Sequence, residues 1–97
     1  MSETGIRDEV IQEICEIAEK YKVEKVILFG SRARGDFHRT SDIDLAVKGG
    51  DFINFSLDVD EETSTLLMFD FVDLNRSIQH ELRENIEREG RIIYEKI

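Results

Sequence analysis

The 97-residue chain has one cysteine, no proline and far fewer basic than acidic side chains. A lone cysteine, Cys15, rules out an internal disulfide and supplies no zinc cluster. Lying among Ile14, Ile17 and Ala18, it reads as a buried structural thiol. No apolar run approaches the length that spans a bilayer. The start, Met1-Ser2-Glu3-Thr4, is polar and acidic, unlike a secretion signal. A cytosolic protein without membrane contact is therefore expected. With no proline, repeat or low-complexity stretch, nothing marks a linker, and the length points to one domain over residues 1–97. Lys and Arg number 13 against 22 Asp and Glu, a formal charge of −9. Unaided grip on DNA or RNA needs a basic surface. This balance excludes it and favours a small nucleotide or a basic protein partner. Apolar residues, at 40%, suffice for one modest core. A domain of this size buries a limited share of its surface, so support from a partner is expected.

What is present centres on two apolar runs and the turn between them. Val26-Ile27-Leu28-Phe29 reads as a short buried strand ending at Gly30. Ser31-Arg32-Ala33-Arg34 reads as one helical turn, and Gly35 to Thr40 as a polar loop. A second strand follows from Asp42 to Val47. Side chains alternate along a strand, so Asp42 and Asp44 share one face while Ile43, Leu45 and Val47 take the other. Adjacent carboxylates repel unless a proton or cation sits between them. Mg²⁺, which prefers carboxylate and phosphate oxygens, is the natural occupant. Gly30 lets the backbone bend tightly. The peptide N–H groups that follow it, with the Ser31 hydroxyl, suit a phosphate. A phosphate cradle beside a metal site points to phosphoryl or nucleotidyl transfer.

The rest of the chain supplies the frame. Ile6, Val10, Ile14, Ile17 and Tyr21 fall on one helical face, predicting a helix from about Thr4 to Tyr21, with Thr4 or Ser2 as cap. Phe52, Phe55 and Val59 predict a second helix from about Asp51 to Glu62. Leu66 to Leu74 reads as a third strand. A last helix is capped by Ser77, carries Ile78, Leu82 and Ile86, and stops at Gly90. Ile92 to Tyr94 closes the chain as a short strand. The expected fold class is α/β (α+β): a small mixed sheet with helices mainly on one face, leaving the other open.

Gly30-Ser31 followed by Ser41-Asp42-Ile43-Asp44-Leu45 resembles the signature of the polymerase-β-type nucleotidyltransferases. The form Gly30-Ser31-Arg32-Ala33-Arg34-Gly35, with the short length, is similar to the minimal nucleotidyltransferases. These are commonly encoded beside a small helical HEPN-domain protein, as the antitoxin of a toxin–antitoxin pair. The resemblance implies a polymerase β-like fold, ATP as substrate and two Mg²⁺ ions held by Asp42, Asp44 and a third carboxylate. Asp70 and Asp73 compete for that third place. Asp70 lies between Phe69 and Phe71, where an idle carboxylate would be costly, and it precedes the apolar-apolar-Asp-Leu stretch of the family pattern. Asp73 has the opposite facing and reads as an arginine partner or strand-end cap.

Arg32 and Arg34 suit either a triphosphate or the abundant carboxylates. Asp58-Val59-Asp60 repeats the Asp-x-Asp spacing without a strand or Gly-Ser turn before it, and reads as a solvated helix face. His38 and His80 read as surface residues. The loop holds no lysine, and Arg39 stays protonated, so no separate general base stands out. The resemblance further implies AMP transfer to a tyrosine hydroxyl of a HEPN-type toxin. Competing readings are a binding module that neutralises a partner by contact, and a nucleotidyltransferase for a small molecule.

Overall fold

In the computed structural model, residues 2–97 are described, with side chains from Glu3 onward. After a short 3-10 turn at Ser2–Thr4 come α1 (Asp8–Lys20), β1 (Lys25–Phe29), α2 (Ser31–Arg34) and β2 (Ile43–Lys48). Then follow α3 (Phe52–Glu62), β3 (Phe69–Asp73), α4 (His80–Glu89) and β4 (Arg91–Glu95). The sheet runs in the order β3-β2-β1-β4. β1 pairs antiparallel with both β2 and β4, and β2 pairs parallel with β3. A parallel pair needs a crossover between its strands, and α3 provides it.

Alternation along the strands divides the sheet into two faces. Val26 and Leu28 of β1 and Ile43, Leu45 and Val47 of β2 are fully buried. They pack with Val10, Ile14 and Ala18 of α1 and Phe55 and Val59 of α3 in one core. Phe55 meets Phe71 of β3 edge to face, with ring centroids 6.4 Å apart. On the other face α4 sits over β1, where Ile86 and Gly90 approach Ile27. The two longer helices thus share one face, as the sequence leads one to expect, and α4 covers only part of the other. The β2–β3 half beside α4 is left for Asp44 and Asp70.

The boundaries differ from the sequence reading at three places. The first helix starts at Asp8 rather than near Thr4, because Gly5 turns the chain at φ +68°. The cap position falls on Arg7, whose side chain makes no capping bond, and the buried Thr4 hydroxyl accepts from the Ile6 N–H instead. Of Ser2 only the backbone is described, and Met1 lies outside the described residues. The third strand is shorter than Leu66–Leu74. β3 pairs only with β2, whose register begins at Ile43 opposite Phe69. The chain before that point is irregular, with Ser64 held by Glu13. Ser77 does not cap the last helix, which begins three residues later with Gln79 at the cap.

Phe55 is the largest fully buried apolar side chain and joins α3 to β3. Phe55→Ala is expected to lower unfolding free energy by about 3–5 kcal/mol in urea titration. A loss under ~1 kcal/mol would show that this core collapses around the cavity.

Candidate active site

The strand β1 ends at Phe29, and Gly30 turns the chain with φ 76° and ψ −158°. Only glycine adopts that region readily. A second constraint acts here: a Cβ on Gly30 would run into the Asp44 carboxylate. Gly30 is therefore both a bend and the space into which Asp44 fits. Ser31 opens the single turn α2, half-buried; the Ala33 and Arg34 N–H groups donate to the Gly30 carbonyl, both at 3.1 Å, which leaves those of Ser31 and Arg32 open among the described residues.

Asp42 immediately precedes β2, and Asp44 is its second residue. Asp44 lies in register with Asp70 on the neighbouring parallel strand. Adjacent strands lie about 4.8 Å apart, so the two carboxyl groups are close neighbours on one face. Asp42 and Asp70 are exposed and Asp44 is half-buried. Burial pushes the Asp44 carboxyl up to about 6, helped by the charges of Asp70 and then Asp42; Arg34 pulls the other way. Among the described residues, no hydrogen bond or ion pair engages any of these three carboxylates. Asp73, the rival for the third place, faces away. Its Oδ1 accepts from the Asn75 N–H and side-chain amide, both at 2.9 Å, and Arg76 lies 3.8 Å from Oδ2.

The described residues contain no ready-made cage of three His, Cys, Asp or Glu ligands. The donor set still fits Mg²⁺. That ion keeps several waters and binds through one or two carboxylates plus substrate phosphates. A carboxylate raised by its burial and by two like-charged neighbours, and lacking a hydrogen-bond donor, is such a partial site.

Arg32 does not stand where the sequence reading put it. It is 1% exposed. Its Nε donates to the Ser41 carbonyl at 3.0 Å, Nη1 to the Thr4 carbonyl at 2.9 Å and Nη2 to the Arg39 carbonyl at 3.1 Å. The guanidinium also lies over the Phe37 ring, 4.8 Å from its centroid. Both readings made for it, triphosphate and carboxylate, give way to three carbonyls and an aromatic face. Burial pushes its pKa below the ordinary arginine value, and the group stays charged. The reason was available locally: residues two apart on a helix point about 200° apart. Arg32 and Arg34 cannot both face one ligand. Arg34 is the outward one, exposed and bonded to Asp36 at 3.3 Å and to Glu89 at 3.1 Å.

Arg32 thereby fixes the loop that delivers Asp42. Ser41 closes the same loop: its Oγ accepts from the His38 N–H at 2.8 Å, and its N–H donates to the His38 carbonyl at 3.1 Å. Neither role was read from the sequence. The remaining candidates lie apart from the carboxylates. Asp58 is a tie between helices rather than a solvated acid, accepting from Tyr21 Oη at 2.7 Å and Lys20 Nζ at 3.2 Å. His38 and His80 are exposed, as expected. Cys15 is half-buried, its thiol directed to the Ile93 carbonyl at 3.2 Å.

Asp44 titrates from 3.8 ordinarily to about 6 in the fold. Between these values the folded state retains a proton that the unfolded chain has released. Metal-free stability therefore falls as pH rises across that window. Asp44→Asn should raise the melting temperature more at about pH 7.5 than at about pH 4. Carboxyl NMR on Asp70→Asn should find Asp44 titrating lower than in the wild type; an unmoved titration would deny the coupling. Gly30→Ala should cost about 1–3 kcal/mol from backbone strain and alter the Asp44 titration by displacing its carboxylate. Wild-type stability in that variant would contradict the close approach.

Comparison with known proteins gives the family and the fold. The family model described as "Polymerase beta, Nucleotidyltransferase" matches residues 12–97. A protein of Methanocaldococcus jannaschii, provisionally named a protein adenylyltransferase, is 34% identical over 82 residues, covering 75% of this chain and 80% of its own length. A crystal structure of a toxin–antitoxin with AMP-PNP is 26% identical, with a TM-score of 0.67 over 89% of this chain and 73% of that one. A structure of the toxin–antitoxin MntA-HpeT, at 24% identity, shares the fold with a TM-score of 0.67, covering 89% of this chain and 73% of that one. With a strand–Gly-Ser–turn and a paired-aspartate strand inside a match that runs from α1 to the last residue, the chain belongs to the polymerase β nucleotidyltransferase family.

Proposed function

We propose that this chain is an antitoxin that transfers AMP from ATP to a tyrosine hydroxyl of a cognate HEPN-type toxin. The observation that carries the chemistry is the in-register pair Asp44 and Asp70 beside the Gly30-Ser31 turn. The adenylyl donor and protein acceptor rest on the name of the archaeal relative. The toxin partner rests on the toxin–antitoxin structure with AMP-PNP.

Asp42, Asp44 and Asp70 would hold Mg²⁺, two ions in the full arrangement. When bound, Mg²⁺ neutralises the phosphates and the leaving pyrophosphate and favours the ionised hydroxyl. The protein's part is placement and proton handling. The Ser31 hydroxyl and the Ser31 and Arg32 N–H groups donate to phosphate oxygens. Arg34 exchanges Asp36 and Glu89 for the triphosphate, where its fork matches phosphate oxygens. Asp70 accepts the proton of the tyrosine hydroxyl as that oxygen attacks the α-phosphorus. A new O–P bond forms, the bond from the α-phosphorus to the bridging oxygen breaks, and pyrophosphate departs. Gly30 and the loop held by Arg32 keep Asp44 and Asp42 in place, so that most of the acceleration comes from positioning and charge.

Intact-mass spectrometry tests this reading. The chain is mixed with ATP, Mg²⁺ and the toxin encoded beside it. The toxin should gain one or more AMP masses, located on tyrosine by fragmentation. Asp42→Asn with Asp44→Asn should slow transfer by ~10³-fold or more. Neutralisation without any mass change, undiminished in the double variant, would replace transfer with neutralisation by contact.

A further inference from the structure

Two properties not used by the carboxylate site coincide on α3 and β3. The first is exposed apolar surface. A groove of about 450 Å³ runs between the helix and the edge strand, lined by Phe52, Ile53, Leu57, Met68, Phe69 and Phe71. Ile53 is 67% exposed, Leu57 52% and Met68 66%. Leu66, just before the strand, is fully exposed. Of the six large apolar side chains exposed among the described residues, these four come from one 16-residue segment. The others, Ile92 and Ile97, lie on or beyond the opposite edge strand.

The second property is charge. Residues 49–75 carry seven acidic side chains and no lysine, arginine or histidine. The rest of the chain holds 13 basic against 15 acidic residues. Seven of the nine net negative charges thus belong to the segment that builds the groove. Asp58 and Asp73 have partners. Asp60, which lines the groove, and Glu61 and Glu62 are exposed, with no ion pair among the described residues, while Asp70 belongs to the carboxylate site.

Together these choose the occupant. A second copy would bring seven like charges against seven, and nucleic acid or an anionic membrane would meet the same repulsion. A complementary surface has apolar side chains to fill the groove and lysine or arginine around them. The position matters too. Met68 is two residues before Asp70, about 7 Å along an extended chain. A protein seated on the groove borders the face that carries the carboxylates. We propose that the α3–β3 groove is the docking surface for the acceptor protein, which meets it with an apolar ridge flanked by basic residues. This rests on the protein-acceptor reading above and adds where the acceptor is held.

The test uses Leu57→Lys with Met68→Lys, and separately Asp60→Lys with Glu61→Lys. All four positions are exposed, and circular dichroism and melting temperature verify the fold. Calorimetric titration with the purified toxin encoded beside this chain should show each pair weakening binding by at least ~30-fold. Wild-type binding should weaken as salt rises, and AMP transfer should fall with binding. Asp42→Asn with Asp44→Asn should bind the toxin while transferring AMP ~10³-fold more slowly or slower still. Unchanged binding in both charge-reversed variants overturns the groove, even where transfer is undiminished and the transferase reading stands. A groove-dependent complex with no transfer by the wild type supports the groove while the transferase reading fails. A wild-type dimer in light scattering that Leu57→Lys with Met68→Lys breaks would assign the groove to a second copy and overturn the proposal. So would the absence of any wild-type complex with the toxin.

Discussion

Two carboxylates held in register on neighbouring parallel strands are the constraint around which this molecule is arranged. Asp44 and Asp70 would separate if the strands were free to slide. They are not, because the opposite face of the same strands is core. Leu45 and Val47 are fully buried there, and Phe71 packs on Phe55. A slip of one residue would turn those side chains to solvent and the aspartates inward. Burial of each large apolar side chain contributes about 1.5–3 kcal/mol, so the core outweighs the repulsion of one half-exposed pair. The fold thus uses one face of β2 and β3 to hold charge together on the other. Burial first, and the charge of Asp70 second, raise the Asp44 titration.

The third acid, Asp42, precedes the strand and needs a different device. Its loop is tied down by a buried cation whose donors are spread over the carbonyls of Thr4, Arg39 and Ser41. An unpaired buried charge would be costly. Here the aromatic ring of Phe37 and three carbonyl dipoles take the place of water. The same guanidinium joins the residues before α1 to the loop before β2. Segments far apart in sequence therefore share responsibility for where Asp42 stands.

Charge is distributed along the same lines. Asp70 and the α3–β3 groove both lie in the acidic segment 49–75, while Arg34 of α2 stands close enough to Asp44 to oppose its upward shift. An anionic nucleotide cannot approach three carboxylates without cations to separate the charges. A basic protein surface can approach unaided. One acidic region is thus suited to a cation-escorted nucleotide and to a basic acceptor, through different faces of the same strand.

The local sequence determined a good deal. Alternation of apolar and acidic residues placed Asp44 on one face of the second strand and Ile43, Leu45 and Val47 on the other, although Asp42, expected to open that strand, stands just before it. The Gly-Ser turn marked the end of β1, and the cost of an aspartate between two phenylalanines separated Asp70 from Asp73. These are short-range signals, since side-chain direction in a strand follows from position alone. Tertiary structure decided what depended on distant partners. Arg32 was taken inward by carbonyls from both sides of it in the chain, β3 was cut back to start opposite the first residue of β2, and Asp58 was claimed by Tyr21 at the end of α1. The groove appeared only when α3 and β3 were set side by side, because a patch made by two elements has no periodicity in either one.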